Sequence, residues 1–274
     1  MTPSPSRFFR ILFVFLLAVP AGAQVSVIGE LSQDRELRPG QKYEGVILVK
    51  NDTDNLQEAK VYQTDYLFFS DGTNRYEEAG TQPRSNARWV TFSPAYLTIP
   101  PRGTVPVNYT VIVPPATDRS RLAGTYWSML MVEGIPVGSP ESSAPRPDKK
   151  AEMGIMQTIR YGIQIVTHIP NTGTRSVRFV STNLVPAEGG KRYLQIDLEN
   201  DGEIGFRPDV YVELFDSRGV SRGKFPGSKY RIYPGTSVRQ MIDISAVPRG
   251  TYKALIVVDT GSDDIFGAEY TVTF

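Results

Sequence analysis

The 274-residue chain contains no cysteine and one histidine, His168. Without thiols there is no disulfide framework, no thiol nucleophile and no cysteine-ligated metal. With a single imidazole, read as a surface side chain at a strand end, no Ser/His/Asp set can be assembled. Phosphate-cradling glycine loops and zinc spacings are missing as well. Charge of either sign is not in excess, with 30 Lys and Arg against 29 Asp and Glu. A chain this close to neutral has no bulk attraction for nucleic acid or anionic lipid. Amphipathic helical runs are absent. Beyond the N-terminal region no stretch approaches the roughly 18 uninterrupted apolar residues of a spanning helix, so no membrane insertion of the mature chain is expected.

The first 23 residues read as a secretory signal peptide. Arg7 and Arg10 give a basic start, Ile11 to Val19 an apolar run, and Ala21-Gly22-Ala23 a small-residue cleavage site before Gln24. No cysteine follows the run, so lipid anchoring is not expected. Removing two arginines takes the formal charge from +1 to −1. The mature length suits one large domain or two ordinary ones.

Gly, Pro, Val, Ile, Thr and Tyr dominate, an all-β composition. Its longest signal is Met153 to Pro170, where Ile155, Ile159, Tyr161, Ile163, Ile165 and Ile169 alternate with Met156, Arg160, Gly162, Gln164 and His168. Period-2 alternation predicts a strand with one face on a core, here about 50 Å long at roughly 3.3 Å per residue. Before it lies Gly134 to Lys150, proline-rich and with no large core, read as a mobile loop.

Further strands are predicted at Val25–Leu31, Tyr43–Lys50, Glu58–Phe69, Trp89–Phe92, Tyr96–Ile99, Val105–Val113 and Gly124–Glu133, with a polar loop from Asn74 to Asn86. A second set covers Arg178–Val185, Arg192–Glu199, Pro208–Asp216, Tyr230–Tyr233, Val238–Ile244, Thr251–Asp259 and Ala268–Phe274. The two sets repeat one plan. A strand ends in Asn51-Asp52 in one and in Asn200-Asp201 in the other, and Gly124-Thr125-Tyr126 matches Gly250-Thr251-Tyr252. A tyrosine at such a corner can bury its ring and return its hydroxyl to the backbone. The expectation is two consecutive Ig-like β-sandwiches, residues 24–170 and 171–274.

Several segments carry this pattern in order: Trp89-Val90-Thr91-Phe92-Ser93-Pro94 through Ile99-Pro100-Pro101-Arg102-Gly103, Val111 to Pro115, Tyr126 to Leu130, Gly134-Ile135-Pro136, and Met156 to Tyr161. Together they resemble the PapD-like periplasmic chaperones of pilus assembly. The resemblance implies a non-enzymatic bacterial periplasmic protein without cofactor or metal. Its partner would be an exported, pilin-like subunit, with outer-membrane assembly machinery as a further one. It also implies β-strand addition by the last strand of the first domain, through Met153, Ile155, Met156 and Ile159. A basic pair in the interdomain cleft would grip the subunit's terminal carboxylate. Arg160 stands for its last-strand member, while Arg35 and Arg38 compete for the first-strand member.

The rival expectation is a structural or adhesive envelope module with no donor strand. Asp259-Thr260-Gly261 copies the triplet of aspartic proteases, but those enzymes need two such aspartates sharing a proton, and a strand running into a turn explains it. Asp259 with Asp263 and Asp264 lacks the alternating pattern of a calcium loop.

Overall fold

In a computed structural model, residues 25–117, 121–136, 139–143, 158–261 and 263–274 are described. The signal-peptide assignment and Met153, Ile155 and Met156 fall outside them. Ten strands build the first two sheets: β1 (Val25–Ile28), β2 (Ser32–Glu36), β3 (Lys42–Asn51), β4 (Gln57–Phe68), β5 (Asn74–Glu77), β6 (Val90–Ser93), β7 (Tyr96–Ile99), β8 (Thr104–Ile112), β9 (Gly124–Ile135) and β10 (Arg160–Ile169). Seven more build the other two: β11 (Arg178–Pro186), β12 (Arg192–Glu199), β13 (Asp209–Phe215), β14 (Ser221–Pro226), β15 (Ser237–Asp243), β16 (Thr251–Asp259) and β17 (Ile265–Thr273). The fold is all-β, two sandwiches in succession.

In the first, the sheet β1-β3-β8-β6 faces the sheet β2-β10-β9-β4-β5, with β7 also paired to β4. Alternation does the sorting. Ile47 and Val49 of β3, Val107 and Val111 of β8, Leu130 and Val132 of β9, and Ile163 and Ile165 of β10 all point into one buried core. In the second, β11-β12-β15 faces β14-β13-β16-β17, around Leu194, Ile196, Leu198, Val212, Leu214, Ile242 and Ile256.

The repeat seen in the sequence is a repeated device. Asn51 and Asn200 are both fully buried. Asn51 Nδ2 donates to the Asn55 carbonyl at 2.7 Å and the Ile99 carbonyl at 3.1 Å, while its Oδ1 accepts from the Thr53 amide at 2.8 Å. Asn200 does the same with Ile204 at 2.8 Å, Ile232 at 3.2 Å and Gly202 at 3.0 Å. Each asparagine thus satisfies loop groups that the ladder leaves behind. The tyrosine pair splits. Tyr252 returns its hydroxyl to the Pro248 carbonyl at 2.9 Å, whereas the Tyr126 ring packs on Trp89 with centroids 4.7 Å apart.

Three strands escaped the sequence reading: β2, β5 (inside the expected polar loop) and β14. Conversely, Tyr230–Tyr233 is not a strand; it makes one isolated bridge, Phe206 to Ile232. The Tyr233 ring and the Arg231 guanidinium serve the contact with the first sandwich instead.

Candidate functional site: a half-covered strand and the seam beside it

β10 pairs antiparallel with β9 over its whole length, from Arg160 opposite Glu133 to Ile169 opposite Gly124. On its other side the parallel β2 covers only Gln164 to His168. The Gln164 amide donates to the Leu31 carbonyl at 2.9 Å, and the His168 carbonyl accepts from the Leu37 amide at 2.9 Å. Even-numbered residues therefore aim their backbone groups away from β9. By the same period of two, Arg160 and Gly162 present N–H and C=O groups where no strand lies among the described residues. The strand is thus closed at its C-terminal half and an edge at its N-terminal half.

The side chains beside this edge are mixed. Tyr161 and Ile163 turn into the core. On the outer face, a Cβ on Gly162 would meet the Met129 methyl and the Met131 sulfur, so the methionines occupy the space a side chain would take. Arg160 is largely exposed and its Nε pairs with Glu133 Oε2 at 2.9 Å. The same oxygen accepts from the Tyr62 hydroxyl at 3.0 Å. Burial, then the bond to Glu133, pushes the Tyr62 phenol up from its ordinary value.

The residues expected to act with Arg160 stand elsewhere. Arg35 is opposite Thr167, seven ladder steps away, about 23 Å along the strand. Its guanidinium donates to the Tyr43 hydroxyl at 3.1 Å and lies 4.7 Å over that ring. Arg38 leads into the Pro39-Gly40 turn, its amide bonded to Gln41 Oε1 at 2.8 Å. The three guanidiniums do not converge. Ile159 is half-buried just before β10.

What sequence reasoning missed is the seam where the second sandwich meets β2, β9 and β10. Tyr233 is fully buried there. Its ring stacks on Trp127, centroids 4.6 Å apart and 13° between planes, and its hydroxyl donates to Gln164 Oε1 at 2.6 Å. Trp127 Nε1 donates to the Tyr66 carbonyl at 2.8 Å. Burial pushes the Tyr233 phenol up to about 12. Next to it a relay crosses the boundary. The Gly205 amide donates to Thr125 Oγ1 at 2.7 Å, and the same oxygen shares a hydrogen bond with His168 Nδ1 at 2.9 Å. His168 Nε2 then faces Asp34 Oδ1 at 3.4 Å. Asp34 also accepts from Arg231 of the second sandwich. His168 is therefore a seam residue, not a free surface group.

Burial alone would raise the Asp34 carboxyl, but hydrogen bonds from His168 and Arg231 and the Arg231 charge outweigh it and hold it well below the usual carboxylate range. A depressed folded value means the contribution is complete above the unfolded carboxylate value, about 4, and is lost as pH falls through the folded value. Urea midpoints should therefore fall on acidification below about pH 4. Asp34→Asn should be less stable at pH 7 and show a shallower acid limb. Equal slopes in both proteins would show that Asp34 contributes nothing to that limb.

The chain is similar to several solved structures. A chain of the chaperone–tip adhesin complex of CFA/I fimbriae biogenesis is 14% identical, with 92% of this chain and 100% of that one covered and a TM-score of 0.46. The class 5 fimbriae chaperone CfaA is 12% identical, covering 91% and 99%, TM-score 0.44. A chain of the CsuC–CsuE chaperone–tip adhesion subunit pre-assembly complex of Acinetobacter baumannii is 12% identical, covering 90% and 98%, TM-score 0.44. No family model matches the chain, and no curated protein matches it.

Proposed function

We propose that this protein is a non-enzymatic binding module that takes up an extended segment of an exported, pilin-like subunit by strand addition along the open half of β10. The observation that carries the reading is the half-covered strand. A guest strand would satisfy the outward backbone groups of Arg160 and Gly162, and a rigid sheet lies behind them. Met153, Ile155 and Met156 continue the same chain N-terminally and supply apolar side chains for the guest's groove, with Ile159 next to them. Arg160, exposed at the start of the edge, receives the guest's carboxylate by giving up Glu133; Arg35 and Arg38 are too distant to share it. The domain boundary is placed at Pro170, after β10, and the signal peptide directs the protein to the bacterial periplasm. Outer-membrane assembly machinery remains a further partner of the loaded form.

The test is co-purification of the mature protein from its native envelope. Arg160→Pro deletes an outward amide without touching the β9 ladder, since proline is tolerated on an open edge. That variant, and separately Ile155→Asp with Met156→Asp, should lose at least about 90% of a bound subunit retained by the wild type, a tenfold change worth about 1.4 kcal/mol. Arg160→Ala should lose less than Arg160→Pro. The bonded and stacked seam favours a second reading, a rigid spacer in the envelope. Identical partners for the wild type and both edge variants would sink strand addition and leave that reading.

A further inference from the structure

A site unrelated to β10 lies at the end of β12 remote from the seam. The turn between β11 and β12 and the loop after β15 enclose a cavity of about 540 Å³, floored by Leu184, Pro186 and Phe274 and edged by Lys191, Arg192 and Arg249. That volume is within the range of small-molecule sites, roughly 300–1,000 Å³. No carboxylate side chain lines it. None of its three cations stands at ion-pair distance from an acidic side chain among the described residues.

Arg192 is the informative member. Its Nη2 donates to the Ser245 carbonyl at 3.0 Å and also to the Val247 carbonyl. Its guanidinium lies 4.6 Å over the Phe274 ring, and its Nε is buried without a hydrogen-bond partner. A guanidinium clamped this way is half-buried and makes no ion pair with an acidic side chain among the described residues, so carbonyls and a ring face are what meet its charge. It is also pre-ordered, so an arriving anion would not have to immobilise it. Lys191 and Arg249 add charge at the rim while the floor stays apolar.

We propose that this cavity binds an amphiphile with an anionic head, a carboxylate or a phosphate, its apolar tail against Leu184, Pro186 and Phe274. Octanoate and octyl phosphate are the probes, titrated calorimetrically into the full mature chain. Octanol and octyltrimethylammonium are the neutral and cationic counterparts. At least one anion should bind saturably and about tenfold or more tighter than either counterpart. The Lys191→Gln, Arg249→Gln double variant, which leaves the Arg192 clamp alone, should weaken that binding about tenfold with its circular dichroism unchanged. A strong preference for octyl phosphate would identify a phospholipid-type head, and a preference for octanoate a fatty-acid-type one. Octanol binding as tightly as the anions would overturn the proposal, as would no saturable binding of either anion, or anion binding unchanged in the double variant.

Discussion

Tyr233→Ala is expected to lower the free energy of unfolding by about 3–5 kcal/mol, the range for deleting a fully buried aromatic. The ring is entirely enclosed, stacked on Trp127 and set edge-on to Phe68 at 6.1 Å. Tyr233→Phe keeps the stack and loses the bond to Gln164 and the long one from Arg231, so it should cost about 1 kcal/mol. The two together separate packing from hydrogen bonding. The alanine variant should also unfold in two resolved urea transitions, since Tyr233 is the ring the second sandwich packs on Trp127 and Val166 at the seam. One unbroken transition at an unchanged midpoint would show that the seam is held by its polar contacts instead.

The second large effect belongs to Asn51→Leu. Leucine matches asparagine in branching but is bulkier, so some overpacking adds to the loss. What changes is that the carbonyls of Asn55, Ile99 and Pro100 and the amide of Thr53 each lose a partner, although Asn55 keeps the Thr53 hydroxyl and Pro100 the Gly103 amide. Each buried group left without a partner costs about 1–3 kcal/mol. With some regaining water, the expected loss is roughly 3–5 kcal/mol. Asn200→Leu should act the same way on the second sandwich. Calorimetry of the two variants should therefore destabilise different transitions. A loss below about 1 kcal/mol in both would mean that water replaces the amide without penalty and that the repeated Asn is incidental.

These two residues mark the divide between what could be read and what could not. Asn51 and Asn200 were visible as a repeat because each acts within its own loop, and a local device leaves a local spelling. The same holds for strands such as Tyr96–Ile99, Arg192–Glu199 and Thr251–Asp259, whose alternation reaches their ends. β2 was invisible: SQDRE is polar throughout and is a strand only because β10 supplies partners for its backbone. β14, SRGKFP, carries a glycine and a proline and is held by β13 in the same way. The seam was harder still. Asp34 and Arg231 lie 197 residues apart, and no pattern in either segment announces the other. Tyr230–Tyr233 read as strand because its rings and branched residue mimic one, while Tyr230 is exposed, Ile232 enters its own core and Tyr233 is buried against the neighbouring sandwich. Arg160 was found because it stands on the alternating strand; its distance from Arg35 was not, since a strand's reach shows only once its pairing is known.

The short parallel pairing of β2 with β10 has a geometric corollary. On the proposed strand addition, a guest entering along β10 from Arg160 would meet Leu31 at Gln164 and go no further. Its stopping point is thus dictated by an obstacle built into the host, in the manner of a carpenter's stop-block. Clients of quite different composition would come to rest at the same place, and lengthening or trimming the Leu31–Ser32 end by two residues should move that place by one step of the pleat.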